Sequence, residues 1–195
     1  MNDHHEDQFW VDFLEFSTTV REHIRARRMR AAFDMVEAIL QAHGYDFAFE
    51  LTEEKTLSVL VLTPEGDREQ AQRIDELLVR RPDVPGWRFY GRRQRKEFKD
   101  ALTFVRHIHG CDASDVMFYA SEGDSGHEIT VITQAMEGLS DGAAYGLAAT
   151  LLDHALGEDA VMSQVSAIHS ALPTQRYEGP VLSLPQLTAL LNSAR

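Results

Sequence analysis

Leu57-Ser58-Val59-Leu60-Val61-Leu62 is an almost continuous apolar run in a chain of 195 residues. A short run of this kind reads as a β-strand covered on both faces, the centre of a sheet. Just upstream, Phe47, Phe49 and Leu51 alternate with other residues, so a strand precedes it. The polar link 52–55 is short enough to make the pair an antiparallel hairpin. Downstream, Pro64-Glu65-Gly66-Asp67 is a turn, and Ala71, Ile74, Leu77 and Leu78 form the apolar face of a helix that Pro82 and Pro85 terminate. Residues 86–91 (GWRFYG) then read as a strand with Trp87 and Phe89 on one face.

Further out, both flanks turn helical. Between Phe9 and Gly44, Trp10, Phe13, Leu14, Ser17, Val20 and Ile24 mark one stripe, and Met29, Phe33, Val36, Ile39 and Leu40 another. An Arg-rich stretch separates them, which fits a helix pair or one bent helix. Gly44 sits where a C-terminal cap belongs. Toward the C-terminus, Phe98, Ala101, Leu102, Val105 and Ile108 predict a helix over 96–109, with a strand around 101–106 as the rival reading. Residues 116–120 and 128–133 alternate around SEGDSGH, a hairpin. Helices are expected over 141–156 and 158–172, and a short one near 187–191 behind Ser183 and Pro185.

The expected fold is therefore α+β: a mostly antiparallel β-sheet of about five strands packed against several helices, with an N-terminal helical pair. Residues 1–8 read as a flexible tail and residues 9–195 as a single domain. No internal repeat stands out.

Thirty-one acids against nineteen basic residues give a net charge of -12. The charge is unevenly spread. Residues 21–30 carry a local +4 and residues 80–99 a local +6, leaving -22 on the rest. An acidic balance argues against nucleic acid as the main partner, because phosphate-binding domains are basic overall. No stretch reaches the ~20 apolar residues of a membrane span. The lone Cys111 allows no internal disulfide, and the acidic start has no signal-peptide core, so a cytoplasmic setting is the expectation.

Two clusters offer chemistry. Arg92, Arg93, Arg95, Lys96 and Lys99 form a basic patch suited to a small anionic ligand or an acidic protein. The bland alternative is a solvated face that pairs with acids elsewhere in the chain. His107, His109, Cys111 and Asp112 are metal-ligand types, yet residues i and i+2 of a helix point apart. They could share a metal only if the segment were a strand. His4 and His5 are weak chelators in the tail. Ser125 lies in Gly-Asp-Ser-Gly-His, a run shared with trypsin-like proteases, but the chain is too short and too helical for that fold, and a tight turn accounts for the residues. No phosphate loop, nucleophile elbow or cofactor fingerprint is present, so no cofactor is expected.

Phe9-Trp10 with Phe13, then Pro85-Gly86-Trp87-Arg88-Phe89, then Leu151-Leu152-Asp153-His154-Ala155-Leu156-Gly157-Glu158 occur in this order. Together they resemble the bacterial domain-of-unknown-function family numbered 695, over residues 9–172. The resemblance implies a compact α+β protein of a bacterial cytosol and carries over neither activity nor catalytic residue. The leading expectation is a non-enzymatic binding or regulatory module, with an immunity-type protein as a special case. The alternative is a small hydrolase or metal-dependent enzyme built on His107, His109, Cys111 and Asp112. A homodimer formed through the N-terminal helices is a third reading.

Overall fold

The computed structural model describes residues 8–123 and 125–193. Of the tail expected over 1–8, residues 1–7 with His4 and His5 lie outside the described residues, while Gln8 opens a helix. Contacts gather into two compact units that divide between Arg92 and Arg93.

The first unit begins with the expected helix pair, α1 (Gln8–Arg25) and α2 (Met29–Ala42). The chain breaks between them where Arg27 takes a φ of 59°. Phe9, Trp10, Phe13, Ser17, Val20 and Ile24 face the core from α1 at three- and four-residue intervals. Gly44, at φ 72°, closes α2 as its position suggested. Strands β1 (Ala48–Glu54) and β2 (Leu57–Thr63) form the hairpin, turning through Lys55 and Thr56. β2 is buried along six of its seven residues, as a central strand must be. Helix α3 (Arg68–Val79) is capped by Asp67, whose carboxylate accepts the amides of Glu69 and Gln70. It carries the chain across the sheet to β3 (Trp87–Tyr90), which pairs with β2 in parallel. Both tryptophans anchor this core: the Trp10 indole donates to the Leu77 carbonyl at 2.9 Å and the Trp87 indole to Ser17 at 3.3 Å.

The second unit starts with α4 (Phe98–His109), so the helical reading of this segment holds over its rival strand. Gly110, left-handed at φ 70°, ends it. Strands β4 (Met117–Gly123) and β5 (Gly126–Ile132) form the second hairpin. A 3-10 turn (Gln134–Met136) leads to α5 (Asp141–Leu156), a helix buried along its last six residues, and α6 (Glu158–Gln164). The helix expected over 158–172 is half that length, because residues 165–171 become β6 (Val165–Ala171). Val165, Ser166, Ile168, His169 and Ser170 are weak helix formers, and the free side of β5 offers them a parallel ladder instead. Helix α7 (Leu184–Ser193) packs Leu184, Leu187 and Leu191 into the core with Phe118, Ile129, Val131 and Leu151.

The expected sheet is thus corrected. Among the described residues, six strands form two three-stranded sheets, in orders β1-β2-β3 and β4-β5-β6, each with one antiparallel and one parallel pairing. A crossover through α3, or through α5 and α6, returns the chain to the same end of its sheet, which makes the last strand parallel. Each unit therefore runs hairpin, helical crossover, parallel strand, although no sequence repeat announces it. No described helix is long and apolar enough to cross a membrane.

Candidate functional site

The five cations of the basic patch part company. Arg92, in the first unit, is half-buried, pairs with Asp75 at 3.0 Å and hydrogen-bonds the Gly91 and Ala71 carbonyls. Arg93, in the second, turns inward to Asp153 at 3.0 Å, with Glu158 at 4.0 Å. Arg95 and Lys99 are exposed and form no ion pair among the described residues. Lys96 lies between these extremes, its ammonium 4.1 Å from the centre of the Phe104 ring.

The fold dictates this division. Segment 93–96 is laid along the joint between α5 and α6. The Arg93 amide donates to the Glu158 carboxylate at 2.9 Å, the Glu158 amide returns a bond to the Arg93 carbonyl at 3.0 Å, and the Lys96 amide donates to the His154 carbonyl at 2.7 Å. Gly157 supplies the backbone turn at this joint. Its φ is 89°, and a Cβ there would stand 3.4 Å from the Arg95 nitrogen. With the backbone fixed at these points, Arg93 meets carboxylates that are 8% and 1% exposed, at Asp153 and Glu158. A buried carboxylate without a cation would be costly, so this pairing is structural. Behind it, fully buried His154 packs its ring 4.1 Å from that of Phe104.

The other half of the patch borders a groove of about 630 Å³. Residues 95–98 form one wall, and Leu184, Pro185, Thr188, Ala189 and Asn192 of α7 form the other. Hollows also occur in the first unit. One of about 470 Å³ is lined by Arg81, Trp87 and Arg88, but the Arg88 guanidinium is already bound to Glu54 at 2.5 Å. Of the earlier basic stretch, Arg21 donates to the Pro85 carbonyl at 3.2 Å and Arg30 pairs with Asp34 at 2.8 Å.

The candidate metal residues do not converge. On α4, His107 and His109 point roughly 200° apart; His107 is exposed, whereas His109 bonds Thr150 at 3.2 Å. Burial lowers the His109 pKa and raises that of the half-buried Cys111 thiol, which makes the latter a poor nucleophile near neutrality. Asp112 has a lowered pKa chiefly through a hydrogen bond from the Ser114 side chain and next through the Ser114 amide, which it accepts as the cap of its own turn, and it pairs with Arg106 at 2.5 Å. Among the described residues, no group of three His, Cys, Asp or Glu is placed to hold a metal ion. Ser125 is exposed in the β4–β5 turn.

Sequence reading missed Asp153, Glu158 and the α7 wall. In a chain of 31 acids nothing marks two of them as partners of one arginine. Compared with known proteins, the chain matches no family model, and neither a curated protein nor a solved structure resembles it significantly.

Proposed function

We propose that the chain is a non-enzymatic binding or regulatory module that captures an anionic partner through Arg95 and Lys99, with Lys96 beside them. One observation supports this: of five neighbouring cations, the fold commits Arg92 and Arg93 to internal carboxylates, leaves Arg95 exposed in the wall of a groove and leaves Lys99 exposed four residues further along the chain. In a protein of net charge -12, exposed cations with no ion pair among the described residues create a local field that draws an anion toward the surface. The lone Cys111 supports a reducing, cytosolic setting.

Heteronuclear NMR titration with hexaglutamate tests the reading. Shifts concentrated at residues 95–99 are expected, with affinity falling as salt rises. The double variant Arg95→Ser, Lys99→Ser should weaken binding by about tenfold, a difference of about 1.4 kcal/mol. Binding that survives this variant unchanged, or shifts located elsewhere, overturns the proposal.

A further inference from the structure

We infer that the groove between residues 95–98 and α7 docks a short peptide segment in which an apolar side chain is flanked by carboxylates. The inference rests on the anion-binding reading above and narrows it to one class of partner. It begins with the rotation of α7. Because Leu184, Leu187 and Leu191 are drawn into the core, Pro185, Ala189 and Asn192 are turned outward as one strip at helical spacing. That strip faces residues 95–98 across the groove.

The two walls differ in what they ask of a ligand. Phe98, Pro185 and Ala189 present apolar surface, which a fully hydrated anion cannot satisfy. Arg95 and Lys96 add positive charge on the other side, and Lys99 follows three residues after Lys96. A volume of about 630 Å³ belongs to the range of clefts that enclose organic ligands, far beyond a single inorganic anion. Glu97 lies in the same wall and repels an unbroken run of acids, so the preferred segment interrupts its carboxylates with an apolar residue. Segment 93–96 is held by backbone bonds to Glu158 and His154, so this wall is ordered before any ligand arrives.

Fluorescence anisotropy with three probes tests the inference: a labelled DDLFDD peptide, labelled hexaglutamate, and inorganic phosphate as competitor. DDLFDD should bind about tenfold more tightly than hexaglutamate, and phosphate should compete poorly with it. Ala189→Trp, on an exposed site, fills the groove and should weaken DDLFDD by about tenfold while sparing hexaglutamate. Asn192→Trp, one turn along, should do the same, and circular dichroism verifies that both variants fold. Arg95→Glu should weaken both peptides. If DDLFDD binds no better than hexaglutamate, or both tryptophan variants leave it untouched, the groove proposal fails and the anion reading stands. If neither peptide binds, both fail.

Discussion

Arg93 and Asp153, sixty positions apart in the chain, meet through a 3.0 Å bond between the guanidinium and the carboxylate. The contact joins the entrance of the second unit to the end of α5, and Glu158 completes it from the first residue of α6. It settles which half of the basic patch belongs to the fold.

Removing the inward arginine should therefore cost far more than removing its neighbour. Arg93→Met withdraws the guanidinium from two buried carboxylates and should lower stability by about 3–5 kcal/mol. Arg95→Met, at an exposed side chain, should change it by less than about 0.5 kcal/mol. Urea denaturation of the two variants checks the contrast, and equal losses would show that Arg93 is not structural.

Gly157 joins α5 to α6 at a φ of 89°, and its backbone lies against Arg95. Gly157→Ala adds left-handed strain, so a loss of about 1–3 kcal/mol is expected. Gly142→Ala, within α5 and with open space at its Cβ, should instead be neutral or stabilising. Comparing the two by thermal unfolding separates backbone strain from the mere addition of a methyl group.

His109 gives the fold a pH dependence. Burial sets its folded pKa below the ordinary 6.5, so the native state binds fewer protons than the unfolded chain. Stability then rises with pH across the interval between the two values, and is lost as pH falls through 6.5 toward the folded value. The wild type should lose stability relative to His109→Asn as pH drops from about 7 to about 5. A flat difference between the two denaturation curves would remove His109 as the cause.

Ser58 sits 1% exposed in the central strand β2, and its hydroxyl oxygen has no hydrogen-bond partner among the described residues. Such a group has lost water without replacement. Ser58→Ala should raise stability by about 1 kcal/mol, read from the midpoint of urea unfolding. A loss of similar size would reveal a bond that the hydroxyl makes.

Local signals carried most of the elements into view. LSVLVL marked the central strand, the spacing from Phe9 to Leu40 marked two helices, and Gly44 marked a helix end, because each depends on periodicity or on the conformation of one residue. The stretch after Gln164 went the other way. Its Val, Ser and Ile are compatible with either state, and the available ladder on β5 decided for a strand. The number of sheets and the parallel edges β3 and β6 were likewise invisible, since a crossover is a path in space and leaves no pattern along the chain.

The candidate site divides on the same line. The sequence by itself determined that eight cations fall between residues 80 and 99 and that two histidines alternate at 107 and 109. Tertiary structure decided what they are for. A helix at 98–109 turned the histidines apart, and carboxylates 60 and 65 positions away took Arg93 out of solvent. Whether a charge is buried depends on a counter-charge brought near by the whole chain, and Coulomb attraction reports distance in space, not distance in sequence.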